Sequence, residues 1–190
     1  TLENGADVFL KKTDFKKDEI QLKAFSWGGY STVDIENIAS AKYAEDILNS
    51  ADLGEISVNE KENLFQENFV DVFPSITESG EGVTGKSNNK NLENMFKMLY
   101  LNFTDLRVKQ NHVDRFIERR INEYIIDKEN PKHESNLDYR KKLYQDHPRT
   151  MYPTDEFFKQ ISLEEVQNFY KDRFIDGGSF DFVIVGDFEF

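Results

Sequence analysis

At two places in this chain, strand-like segments follow one another with no room for a helix between them. In the first, Val8, Phe9 and Leu10 form a short apolar run. After the polar stretch TDFKKD, Ile20, Leu22 and Ala24 alternate with Gln21 and Lys23, the period-two pattern of a strand with one buried face. In the second, NFVDVFPSITE and EGVTGKSN make another pair. Neighbouring parallel strands need a crossover of a dozen or more residues, usually a helix. Strands paired in this way therefore predict a largely antiparallel sheet, with TDFKKD as a hairpin-like connection inside the first pair. Gly28 and Gly29 end the second strand.

Elsewhere the period is helical. From Asp34 to about Ala51, Ala41, Ala44, Ile47, Leu48 and Ala51 share one side, and Lys42, Glu45, Asp46 and Asn49 the other. A shorter helix is predicted around Asn59 to Gln66. Leu92, Met95, Phe96, Leu99 and Phe103 make one later stripe; Val113, Phe116, Ile117, Ile121 and Tyr124 make the next. A weaker helix spans roughly Ser135 to Tyr144. The segment SLEEVQNFYKDRF opens on a capping-box pattern, Ser162 with Glu165, and Phe180 to Val185 reads as a closing strand. The order ββα(α)ββααααβ defines an α+β class: a largely antiparallel sheet of about five to six strands covered by helices. Residues 1–190 are expected to form one such domain.

The chain can fill that core. Of its 190 residues 38% are hydrophobic, with 17 Phe and 8 Tyr, which argues against disorder. Thirty-six acidic residues against 24 basic ones give a net charge of −12. A surface of that sign repels phosphate backbones and anionic lipid, so neither nucleic acid nor membrane is expected as a partner. The absence of Cys excludes disulfides, thiolate metal sites and a Cys nucleophile. The chain opens on Thr and stops just after a strand-like run, FDFVIVGDFEF, so it is expected to be a fragment of a longer multidomain protein.

Candidates for chemistry are few. His112, His133 and His147 belong to three different segments and do not have metal-ligand spacing; His147, among the prolines of DHPRTMYPT, reads as part of a turn. Ser26, Ser75, Ser79 and Ser87 lack the G-x-S-x-G context of a nucleophile elbow. Gly80 to Ser87, GEGVTGKS, matches the letters of a phosphate-binding loop. Such a loop joins a buried parallel strand to a helix N-terminus. Here Pro74 lies in the preceding segment and no acidic strand follows in a βαβ unit, so a nucleotide-binding function is the least favoured reading.

Five segments, LENGADVFLKK, AFSWGGYS, SAKYAED, YQDHPRTMYPTDEFFKQISLEEVQNFYKDRF and DFVIVGDF, taken in order, resemble one domain of the pitrilysin/insulinase family of zinc peptidases, and the likeness runs through essentially the whole chain. The resemblance implies an α+β domain of the kind that, four to a protein, encloses a peptide between two halves. Active domains of that family carry an inverted motif, H-x-x-E-H, on the first long helix, with a further glutamate ligand on a later one. Two His at i and i+4 grip the ion and the Glu activates its water. On this chain the motif falls on Lys42, Tyr43, Ala44, Glu45 and Asp46. The distant glutamate falls near Glu123, with Glu118 as the lesser match.

Both His positions are therefore lost. A lysine ammonium offers no lone pair, and Asp46 with Glu123 would supply two ligands where catalytic zinc takes three. A solvated helix face with a Lys42–Asp46 contact, worth about 0.2–0.5 kcal/mol, accounts for the same residues. No catalytic, cofactor-binding or metal residue is assigned here. The resemblance implies a non-catalytic domain of a zinc metalloendopeptidase, from its C-terminal half, that helps enclose peptide substrate opposite a zinc-bearing domain. Its partners would be the other domains of the same chain and the peptide, with zinc held elsewhere in the parent protein. The alternative is an inactive peptidase-like subunit or scaffold. For a bacterial source, the periplasm or cell envelope is the expected compartment.

Overall fold

The computed structural model describes residues 1–189. Its main sheet contains β1 (Asp7–Lys12), β2 (Ile20–Trp27), β4 (Asp71–Ile76), β5 (Gly80–Ser87) and β7 (Asp181–Gly186), in the spatial order β1-β7-β2-β5-β4. Two short strands, β3 (Asp52–Leu53) and β6 (Leu106–Arg107), pair separately. The helices are α1 (Ile38–Lys42), α2 (Ala44–Asn49), α3 (Val58–Asn68), α4 (Leu92–Thr104), α5 (Gln110–Lys128), α6 (His133–Leu143), α7 (Asp155–Phe158) and α8 (Leu163–Phe174).

Alternation decides which face of the sheet is covered. Ile20, Leu22 and Ala24 of β2 are buried, and register sets them beside Ser87, Gly85 and Val83 of β5. Val72 and Ile76 of β4 and Ile184 of β7 complete the face. Met95, Met98 and Leu99 of α4, Ile47 and Leu48 of α2, and Val166, Phe169 and Phe174 of α8 close over it. Each such side chain stabilises the fold by about 1.5–3 kcal/mol through burial. On the opposite face Trp27 and Val183 stay exposed, so the helices form one layer on one side. The α+β reading, with its mostly antiparallel sheet and helical cover, holds in this structure.

Two expectations are corrected. The first two strands do not form a hairpin: β7 lies between them, parallel to β1 and antiparallel to β2. The most apolar strand of the chain takes an inner place, hydrogen-bonded on both sides, and the polar TDFKKD stretch passes over its end, with Thr13 N–H donating to the Gly186 carbonyl at 2.9 Å. The long helix predicted from Asp34 is also interrupted. A 3₁₀ turn (Ile35–Asn37) leads into α1, and Tyr43, with φ −103° and ψ 9°, separates α1 from α2. The Tyr43 ring packs on Phe116 and Phe158, at 5.4 and 5.6 Å between centroids, and this aromatic packing takes precedence over helical continuity.

The other predicted helices form, with apolar stripes inward on α4, α5 and α8, whereas α6 buries none of its residues. Ser162 caps α8, its hydroxyl accepting from Glu165 N–H at 3.2 Å. A second cap, a full capping box between Ser57 and Glu60, starts α3.

Candidate functional site

The turn after β2 positions one side of the region of interest. Gly29 has φ +64°, and a Cβ there would lie 2.3 Å from the Thr77 carbonyl oxygen, so this left-handed position needs glycine. Its N–H donates to the buried Glu81 carboxylate at 2.5 Å. Tyr30 and Ser31 N–H then donate to the Thr77 and Glu78 carbonyls, at 3.1 and 2.8 Å. The WGGY turn is thereby fastened to the β4–β5 turn, and Tyr30 is delivered over α1.

Lys42 points at that ring. Its Nζ lies 5.1 Å from the Tyr30 centroid and 5.9 Å from that of Tyr43, within cation–π range. Partial burial lowers its pKa below the ordinary lysine range; the Glu78 carboxylate opposes that shift and the Arg140 charge adds to it. Tyr30 is raised, first by burial and then by Glu78. Arg120 of α5 covers the remaining aromatic surface, 5.4 Å from both the Tyr43 and Phe158 rings.

The other motif positions are engaged separately. Glu45 Oε2 accepts from the backbone N–H of Ile76 at 2.5 Å, and four residues on, Asn49 donates its amide to the Pro74 carbonyl at 3.3 Å. Pro74 and Ile76 lie on β4, the outermost strand, and these groups face away from β5. Pro74 itself has no N–H. Asp46 is exposed and lines a shallow pocket with His112, Arg115 and Arg119. Glu123 accepts from Arg120 at 2.7 Å and lies 3.9 Å from Arg119. Among the described residues, Lys42 and Asp46 make no ion pair, so the predicted i, i+4 contact is absent. The break at Tyr43 removes the continuous helix face on which it depended.

These residues do not fit a zinc ion. One is an ammonium seated on two tyrosines. One carboxylate is committed to a strand edge, another to two arginines, and the third looks toward a different pocket. Zinc needs three or four ligands converging on one point, and among the described residues no group of three or more His, Asp and Glu is so placed. Substituting Glu45 by Ala is expected to leave the Ile76 N–H without its acceptor and to destabilise the fold by about 1.5–3 kcal/mol, the usual worth of a charge-assisted hydrogen bond. Urea unfolding together with faster hydrogen exchange at Ile76 would show it; unchanged exchange would contradict the assignment.

Two of the three histidines serve the backbone. His112 Nδ1 accepts from Lys109 N–H at 3.1 Å at the start of α5, and His147 Nδ1 accepts from Arg149 N–H at 3.2 Å within its turn. His133 sits 2.8 Å from Asp127. Gly80 to Ser87 form β5, paired on both sides by β2 and β4. Its N–H groups belong to a ladder and stand at no helix N-terminus, which excludes the phosphate-loop reading. Sequence inspection missed Tyr30, Glu78 and Arg140 around Lys42. It also missed the Arg120–Glu123 pair, for which the i, i+3 spacing was the available signal.

The fold defines the class: an α+β domain of the kind found in M16-type peptidase chains. No family model matches the chain. Over 192 residues it is 22% identical to the probable zinc protease PqqL of Haemophilus influenzae, a match taking in 99% of this chain and 20% of that protein. It superimposes on the periplasmic protease PqqL from Escherichia coli with a TM-score of 0.83 at 19% identity, covering 100% of this chain and 21% of the other. A peptidase M16 inactive domain from Pseudomonas fluorescens gives a TM-score of 0.76 at 17% identity, over 98% of this chain and 45% of that one. The chain spans about a fifth of the length of the PqqL proteins it matches. Its sequence relative and structural neighbours are PqqL-like zinc proteases and M16 peptidase domains, one of them an inactive domain, in keeping with the pitrilysin/insulinase resemblance of the sequence.

Proposed function

We propose that this chain is a non-catalytic domain of a zinc metalloendopeptidase and helps enclose peptide substrate opposite a zinc-bearing domain of the same protein. The observation that carries the reading is the occupation of the motif position: Lys42 lies over Tyr30 and Tyr43, and Glu45 holds the edge of the sheet. A carboxylate whose oxygen is committed to a backbone N–H at the edge of the sheet is not placed to act as a general base. The contribution would be non-covalent, holding a peptide and limiting water around it. Zinc, the neighbouring domains and a periplasmic setting for a bacterial parent belong to the same proposal. The short coverage of the longer PqqL proteins and the name of the Escherichia coli relative support it.

The isolated chain is expected to cleave no peptide and to give no stoichiometric zinc signal in calorimetry. A variant with His at both 42 and 46 is expected to remain without tight zinc, because Glu123 stays paired with Arg120 and the helix breaks between the two new imidazoles. Tight one-to-one zinc binding by the unaltered chain would overturn the reading.

A further inference from the structure

The chain is strongly acidic overall, yet basic side chains gather around the rewritten motif. Lys42 lies over Tyr30 and Tyr43, and Arg140 is near enough for its charge to act on it. Arg140 and Lys141 of α6 both face the Tyr152 ring, at 5.9 and 5.6 Å. Arg149 reaches back to the Val33 carbonyl with one Nη at 2.8 Å. Among the described residues, none of Lys42, Arg140, Lys141 and Arg149 forms an ion pair with a carboxylate. The acidic groups that face the cluster are Glu78, acting on Lys42, Asp146, acting on Tyr152, and Asp127 and Glu156, which line the clefts beside Arg140 and Lys141; Asp127 is paired with His133 and Glu123 with Arg120.

Donors remain unspent in this cluster. Among the described residues, the second Nη of Arg149 and Nε of Arg120 are buried atoms with no hydrogen-bond partner. A buried donor left without an acceptor destabilises the fold, so such groups mark places where an acceptor is accommodated. Two clefts open here. One, of about 380 Å³, carries Arg140 with Asp127, Tyr124 and Thr154; the other, of about 370 Å³, carries Lys141 and Tyr152 with Asp146 and Glu156 beside Ile35 and Phe157. Guanidinium and ammonium groups held on aromatic faces, with apolar walls alongside, suit a carboxylate on a peptide better than a bare inorganic anion. The walls take the flanking side chains while the cations take the charge.

We propose that this cation–aromatic cluster, from Tyr30 and Lys42 to Arg140, Lys141 and Tyr152, binds a carboxylate of a peptide, either an acidic side chain or a free C-terminus. The inference rests on the reading of the domain as a wall around peptide substrate, and supplies that wall with a preference.

Fluorescence anisotropy with three labelled peptides tests it. The first is rich in Glu and amidated, the second neutral with a free C-terminus, the third rich in Lys and amidated. The chain is expected to bind the Glu-rich peptide, the free C-terminus or both more tightly than the Lys-rich one, and more weakly as salt is raised. Replacing Lys42 and Arg140 together by Gln should weaken that binding about threefold to tenfold, with the melting temperature retained. Replacing Lys17 by Gln, in the β1–β2 connection, should leave it unchanged. Equal binding of all three peptides, or binding indifferent to the Lys42 and Arg140 substitutions, overturns the carboxylate site and leaves the enclosing role standing. Failure of all three to bind overturns both.

Discussion

Replacing Arg173 by Ala is expected to destabilise the fold by about 3–5 kcal/mol, the cost of breaking a buried ion pair by removing one partner. The Arg173 guanidinium donates to Glu81 Oε1 at 2.6 Å through Nη2 and at 3.2 Å through Nε, and Nη2 also donates to the Trp27 carbonyl at 2.8 Å. Glu81 sits in β5, and its side chain has 0% exposure. Its other oxygen accepts from Gly29 N–H. One pair thus joins α8, the sheet and the WGG turn. Without the guanidinium, an ionised carboxylate would stay buried with a single donor. Chemical denaturation measures the loss, and Glu81→Gln in the Arg173→Ala background should recover part of it, because a neutral amide needs no counter-charge. A loss under 1 kcal/mol, or no recovery in the double variant, would show that the carboxylate finds water.

Phe158→Ala should cost a similar amount, about 3–5 kcal/mol, for a different reason: the ring is removed and its space is only partly refilled. Phe158 is 1% exposed. Its ring lies 5.6 Å from that of Tyr43 and 6.2 Å from that of Phe157, with the Arg120 guanidinium 5.4 Å above it. The substitution therefore removes a support from Tyr43 and Arg120 as well as apolar area. Phe158→Leu keeps most of the volume and should cost less than half as much. Equal losses for the two variants would assign the effect to the aromatic and cation contacts, and not to the cavity.

Much of the architecture was legible because it depends on local pattern. The alternation of Ile20, Leu22 and Ala24 identified the buried face of a central strand. The stripe from Leu92 to Phe103 identified the helix that covers it, and Ser162 with Glu165 identified a helix start. Strand order was not legible in the same way. Nothing near TDFKKD announces that a strand more than 160 residues away, Asp181–Gly186, pairs with Asp7–Lys12, since that pairing is long-range and leaves no local pattern. The break at Tyr43 was hidden for a related reason: aromatic packing from α5 and α7 overrides a period that favours continuous helix. At the motif, the residue types alone indicated that Lys42 could not replace a His. What Lys42 does instead depends on Tyr30, twelve positions earlier and brought close only by the glycine turn.

The margin of the sheet at β4 has a consequence for how copies of this molecule meet. Proline supplies no donor at 74, its oxygen is taken by Asn49, and the donor at 76 is taken by Glu45. Endless strand-on-strand stacking requires two receptive borders on every unit. Over the stretch from Pro74 to Ile76 this border is spoken for, so a foreign strand finds no open donor there and its addition along β4 is disfavoured.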